Sequence, residues 1–384
     1  MKFNRKFFAA MSIALLMTSP LTIHAIAETT ETKIDASEFV DANNHSVKKG
    51  VIKVGVDKKN MPINIAYTMT GNVHKHDKVI LFADPYFGQE SWDCQVEAMT
   101  KAGHLCIVID PIGYGKSSQT APTDLDGVYG TGENGYSLAQ QAIFHNKLLK
   151  GLGINCPIVY VAVDTQGNAA MRYAVDFAAD QLKVEKLVLI NTSPQGVTGD
   201  DPCRLTFLST AQAQALTQFF AADPCAALCA LLKTSFNEPA CPEYGAMLYN
   251  ASVNFNATQP AAVFERLVMK TYAEDTSSLM QLITIPVLYL YGVIDTTDIL
   301  SRKAEGMAFT GYCPGCAAGC TNATYIPPFP NCQIRSFAGK GTVVNRSDAK
   351  RVNESLKDFI SGDDAKCTPC KSKVNVPVIC AVCA

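Results

Sequence analysis

The stretch VYVAVDTQGNAAMRYA, Val159 to Ala174, passes within two residues from a β-branched run into a small-residue helical segment. A buried strand that enters a helix this abruptly has that helix as its way back across the sheet, so the next strand runs parallel to it. The same alternation recurs along the chain. Strand-like apolar runs are predicted at Val51–Val56 and Ile63–Thr70, a hairpin around Asp57-Lys58-Lys59-Asn60, then at Val79–Asp84, Leu105–Asp110, Ile158–Val163, Leu187–Asn191, Val287–Tyr291 and Gln333–Phe337. Helical patterns fall between them, at about Glu90–Ala102, Leu138–Leu152, Asn168–Ala179, Leu300–Gly306 and Asp348–Ile360. This predicts an α/β fold with a mostly parallel, doubly wound sheet covered on both faces.

With 384 residues and 48% apolar side chains, the chain fits one large α/β domain with insertions. The core is expected over residues 50–195 and 280–361. Residues 196–279 break the rhythm: Pro202, Pro224, Pro239 and Pro242 interrupt helical stretches, and no long β-branched run occurs. An insertion after a central strand lands over the strands' C-terminal edge, where doubly wound folds bind ligands, so this segment reads as a cap.

The N-terminus reads as an address. Lys2, Arg5 and Lys6 precede the apolar stretch Phe7 to Met17, and Ala25-Ile26-Ala27 offers a small-x-small cleavage site. Residues 1–27 are therefore expected to be a signal peptide, followed by an N-terminal arm over 28–49, in a secreted or periplasmic protein without a stable membrane span. An oxidising compartment suits the 15 cysteines. Cys313, Cys316, Cys320 and Cys332 mark a cysteine-rich insertion, 311–332. Cys367, Cys370, Cys380 and Cys383 mark a tail, 362–384, and Cys203, Cys225, Cys229 and Cys241 form a third set. Each set is expected to hold local disulfides, with pairing left open. The tail also has metal-knuckle spacing, though behind a signal peptide disulfides are preferred. Cys94, Cys106 and Cys156 fall in core-like segments.

A net charge of -2 without a basic run past the N-terminus excludes a nucleic-acid footprint. No glycine-rich nucleotide loop follows the first strands, so neither a dinucleotide cofactor nor any other is expected. Asn44, Asn191, Asn250, Asn256, Asn322, Asn345 and Asn353 open Asn-x-Ser/Thr triplets, which matter in a eukaryotic secretory pathway.

Four stretches carry a family likeness. SWDCQVEAMTKAGHLCIVIDPIGYGKSS, Ser91 to Ser118, resembles the α/β-hydrolase pattern of Trp, amphipathic helix, Gly and strand, closed by Asp-x-x-Gly-x-Gly-x-Ser at Asp110, Gly113, Gly115 and Ser117. The opening stretch resembles that family's strand, nucleophile elbow and helix. IPVLYLYGVID, Ile285 to Asp295, resembles the strand that delivers the catalytic acid, and FAGKGTVVNRSDAKRVNESLKDFI the last strand, histidine loop and final helix.

The resemblance implies positions for a nucleophile, an acid, a histidine and an oxyanion hole. Asp164 takes the nucleophile position in the register that keeps the following helix in phase. Thr165 is the alternative, with Gly167 then two residues on. An aspartate here resembles the haloalkane dehalogenase and epoxide hydrolase branches, whose carboxylate forms an ester intermediate, but the dehalogenase tryptophan is replaced by Thr165. Asp164 as a mere cap of the next helix stays open. Asp295 takes the acid position. The histidine position falls on Thr342, and the six histidines, His24, His45, His74, His76, His104 and His145, all precede it. Ala83-Asp84-Pro85 replaces the oxyanion loop, with Pro85 lacking an N–H donor. Asp84, Pro85 and Trp92, the one tryptophan, are candidate binding residues.

Three readings follow. The first is a hydrolase homologue without triad chemistry that binds a small apolar ligand under its cap. The second is an active ester, epoxide or haloalkane hydrolase using Asp164 with a non-histidine base. The third is an extracellular module that contacts a protein partner through its cysteine-rich segments.

Overall fold

The computed structural model describes residues 35–40, 45–85, 88–129, 134–192, 263, 266–267, 274, 276–293, 329–338 and 344–362. Nine strands form one sheet: β1 (Asp35–Val40), β2 (Ser46–Val56), β3 (Pro62–Thr70), β4 (Val79–Ala83), β5 (Leu105–Asp110), β6 (Ile158–Val163), β7 (Val184–Ile190), β8 (Val287–Val293) and β9 (Cys332–Ala338). Their spatial order is β1-β2-β3-β5-β4-β6-β7-β8-β9. The first three strands and the β3–β5 junction are antiparallel, and every pairing from β5 to β9 is parallel.

The described helices are α1 (Asp93–Lys101), α2 (Pro122–Leu125), α3 (Leu138–Gly151), α4 (Thr165–Asp176), α5 (Ser277–Met280), α6 (Val344–Ser347) and α7 (Ala349–Ser361). β6 is buried at all six positions, as a central parallel strand with both faces covered must be. Ile158, Tyr160 and Ala162 join one core layer with Phe144 and Leu148 of α3 and Met171 of α4. Val159, Val161 and Val163 join the other, with Met99 of α1 and Val352 and Leu356 of α7.

Polar contacts lock the outer helices in place. Gln95 Nε2 donates to Asn345 O (2.7 Å) and Asn353 Oδ1 (3.0 Å), tying α1 to α6 and α7. The buried Lys186 ammonium of β7 donates to the carbonyls of Phe359 (3.1 Å), Ile360 (3.2 Å) and Gly362 (2.9 Å). A cation thereby satisfies the C-terminal carbonyls of α7, where the helix dipole favours it.

The structure differs from the sequence reading in three places. The arm predicted over 28–49 contributes β1 and the first residues of β2, paired from Asp35↔Val51 to Val40↔Ser46. Backbone pairing at a sheet edge does not require an apolar run, and DASEFV has none. The helix after β6 starts at Thr165 rather than Asn168, because one residue suffices for the turn. The triplets at Asn191 and Asn345 are not glycan acceptors in the folded chain: both asparagines are buried, at 2% and 0% exposure. Asn345 Nδ2 donates to Ser91 O (3.1 Å), and Asn191 Oδ1 accepts from Gly292 N (3.0 Å). The hairpin stands as read, with Asp57 Oδ1 accepting from the N–H groups of Lys59 (2.8 Å) and Met61 (2.9 Å).

Most of the cap, residues 193–262, lies outside the described residues, as do the 311–328 part of the cysteine-rich insertion, the tail beyond Gly362 and the helix expected at Leu300–Gly306. Cys94, Cys106 and Cys156 are thiols. Burial pushes the Cys106 thiol up to about 12, so it stays protonated and inert. Among the described residues, no helix is long and apolar enough to cross a membrane.

Candidate functional site

A single residue, Asp164, separates β6 from α4, with φ 49° and ψ −125°. For a residue with a Cβ this backbone costs on the order of 1–3 kcal/mol and persists only where the surroundings enforce it. They do so here. Asp164 N donates to Ile190 O (3.0 Å), and Asp164 O accepts from Gly167 N (3.0 Å). Thr192, just past β7, presses on the helix so closely that a Cβ on Gly167 would lie 1.9 Å from its Oγ1. Gln166 is accommodated two residues after the turn because its Nε2 donates to Gln141 Oε1 of α3 (2.8 Å). Of the two registers, the turn thus takes Asp164, and Thr165 becomes the first helical residue. The Asp164 side chain makes no capping hydrogen bond to α4, so the plain helix-cap reading is not the one adopted.

Strand register sets what surrounds Asp164. Ala83 of β4 pairs with Ala162 of β6 on one side and with Ile109 of β5 on the other. Asp84, the loop after Asp110, and Asp164 therefore emerge side by side at the sheet's C-terminal edge, and both Asp84 and Pro85 are buried. In the loop, Asp110 Oδ2 accepts from Lys116 N (3.0 Å). Ser117 Oγ donates to Asp110 O and accepts from Ala66 N (2.8 Å). Gly115, at φ +52°, backs directly onto the Asp110 carboxylate, where a Cβ would sit 2.5 Å from Oδ2. Asp110, Gly115 and Ser117 are thus structural, and the residue their loop presents is Tyr114. That phenol is buried, and its ionisation is pushed far up, first by burial and then by the negative charges of Asp164 and Asp84. Tyr114 was not singled out from sequence, although an aromatic between two loop glycines was a visible signal.

The insertion returns to the core through several anchors. Val263 and Leu267 are buried against the core and flank Gly113. Arg266 pairs with Asp126 (2.8 Å), and Thr276 Oγ1 donates to Asn168 Oδ1 of α4 (2.8 Å). Both carboxyl oxygens of Glu274 accept from Leu138 N at the start of α3 (3.1 Å each). Burial raises the Glu274 carboxyl to about 7 against the opposing pull of that N–H and of Arg172. No sequence signal marked Glu274, which lies in a stretch without periodicity.

The histidines lie elsewhere. His145 is fully buried within α3, its Nδ1 2.7 Å from the Tyr160 hydroxyl, and burial pushes it down to about 3. His104 immediately precedes β5, His74 and His76 lie between β3 and β4, and His45 precedes β2. All four therefore occupy the edge where β4 and β5 begin, opposite the one carrying Asp164. Trp92 is a core residue: it is fully buried and packs on Phe82 (centroids 4.9 Å apart) in the layer beneath α1 and α7. Asp295 and Thr342 lie outside the described residues, β8 ending at Val293.

Residues 82–315 match the alpha/beta hydrolase fold family. The chain belongs to that family. Solved α/β-hydrolase structures agree in fold. A bromoperoxidase from Bacillus anthracis superposes with TM-score 0.61 at 21% identity, over 82% of this chain and 100% of that one. An esterase from Thermogutta terrifontis gives 0.58 at 18%, over 81% and 98%, and an enol-lactonase from Burkholderia xenovorans 0.55 at 16%, over 78% and 97%. No curated protein matches the sequence significantly. Within this α/β-hydrolase, Asp164, Asp84 and Tyr114 come together, Thr165 adjoins them, and no histidine past the N-terminal segment reaches them.

Proposed function

We propose that this is an exported α/β-hydrolase homologue that binds a small, largely apolar ligand above Asp164 and does not carry out triad hydrolysis. One observation carries the reading: each histidine from His45 onward lies in the core or at the opposite sheet edge, and none follows His145. An ester formed on an aspartate needs a base to activate the water that releases it, and losing one triad member typically lowers rates by about 10⁴ or more. Pro85 in the place of an oxyanion donor supports the same conclusion. Export rests on the charged and apolar N-terminal segment ahead of Ala25-Ile26-Ala27.

A second reading, an active hydrolase, draws on Asp84 and Tyr114 beside Asp164: a carboxylate and a phenol are both capable of moving a proton. The esterase and enol-lactonase among the structural neighbours make esters and lactones the first substrates to try, with epoxides and haloalkanes beside them. The test is turnover by the mature protein next to Asp164→Asn. Equal, background-level rates support binding alone. Turnover that disappears in the variant overturns that reading and makes Asp164 a working residue, partnered by a base other than histidine.

A further inference from the structure

We propose that His104 is an acid-operated latch at the sheet edge opposite Asp164. Neutral, its ring packs in the protein interior; on taking up a proton it turns out to the Asp77 carboxylate and loosens the entries to β4 and β5. The inference does not depend on the ligand reading.

His104 stands between α1 and β5 at 5% exposure, and neither ring nitrogen has a hydrogen-bond partner. A neutral imidazole carries one donor and one acceptor, so both go unmet in the packed position. Each unmet group costs free energy, which narrows the preference for that position. Burial also disfavours the imidazolium, pushing the group below its ordinary 6.5 against the pull of Asp77, with Lys78 adding to the push. The charged ring is therefore better placed outside, and a histidine makes that change within the range of pH an exported protein meets.

The surroundings supply a place for it. Asp77 is exposed, directly before β4, and its N–H donates to Gly103 O (3.0 Å). Its carboxylate lies against Gly103, where a Cβ would sit 3.3 Å from Oδ2. Gly103 itself, at φ +90°, gives the backbone a flexible joint immediately before His104. The cation beside the ring is held elsewhere: Lys78 pairs with Glu185 of β7 (2.8 Å). Lys101, in the last turn of α1, pairs with Glu97. The turn between β3 and β4 carries His74, Lys75 and His76, and His45 precedes β2, so acid adds charge to this corner beyond His104. Three backbone bonds report on the latch: Asp77 N to Gly103 O, His104 N to Met99 O (3.1 Å) and Leu105 N to Lys78 O (2.9 Å).

The test is amide hydrogen exchange of the mature full-length protein between about pH 7 and about pH 5, normalised for the intrinsic effect of pH and read in peptides covering 71–79 and 102–107. One proton taken up at the ordinary value of 6.5 is expected to raise local opening about twentyfold over that range, with β6 unchanged. His104→Phe fills the same space and cannot titrate, so its opening should change less than about twofold while His45, His74 and His76 still ionise. Asp77→Asn, a surface change, should reduce the wild-type response several-fold. No response in wild type, or an equal response in His104→Phe, overturns the proposal. An undiminished response in Asp77→Asn overturns Asp77 as the receiving group and the latch with it. Protection lost equally in β6 marks global acid unfolding and overturns it too.

Discussion

Glu274→Gln should make the protein more stable at neutral and alkaline pH and leave it unchanged in acid. The Glu274 carboxyl sits against the first N–H of α3, which accommodates charge, but burial outweighs that stabilisation and raises the group from 4.5 to about 7. A shift of that size corresponds to about 3 kcal/mol between the two protonation states. Because the folded value is raised, the contribution is fully present below pH 4.5, where the group is neutral folded and unfolded alike. As pH rises, the unfolded chain ionises first and stability falls, levelling off once the folded group has ionised above about 7. Glutamine retains a carbonyl for Leu138 N and never ionises. Urea unfolding of wild type and variant across this range should show a difference near zero in acid that grows to as much as about 3 kcal/mol in the variant's favour at about pH 8. A difference that does not change with pH, or a variant less stable than wild type at alkaline pH, would refute the placement of a buried carboxyl at this anchor.

Asp164→Gly should raise stability by about 1 kcal/mol, because glycine adopts the positive φ of the turn without strain; thermal or urea unfolding measures it. Gly167→Ala should cost about 1–3 kcal/mol by driving a methyl into Thr192, and Thr192→Ala in the same chain should restore part of the loss. Lys186→Met should cost about 2–3 kcal/mol by leaving the α7 carbonyls without their cation, with amide exchange rising first in α7.

The central sheet was legible in the sequence because buried parallel strands are near-continuous apolar runs, as ILFA and IVYVAV are. The edge strand β1 was not, because its pairing is a backbone property that DASEFV does not advertise. Asp164 could be assigned to the turn by helix phase, yet what enforces the turn, Thr192 against Gly167, comes from residues 25 apart in sequence. The Asp110 motif was legible as a pattern, but its purpose emerges only with Asp110 packed behind Gly115, which leaves Tyr114 as the residue presented. Trp92 was expected to bind and is a core residue, because an aromatic beginning an amphipathic helix looks the same in sequence whichever side of the sheet it covers. Lys186 reads as a surface lysine in VEKLVLI until α7 is placed across its strand.

The most direct measurement is the intact mass of the mature protein after incubation with a reactive epoxide and with a haloalkane, followed by peptide mapping. Without a histidine to release it, any ester formed on Asp164 would accumulate rather than turn over. Binding without chemistry predicts an unchanged mass, the same as for Asp164→Asn. A stoichiometric adduct mapped to Asp164 and absent from the variant would contradict it, showing that the turn still delivers a nucleophile.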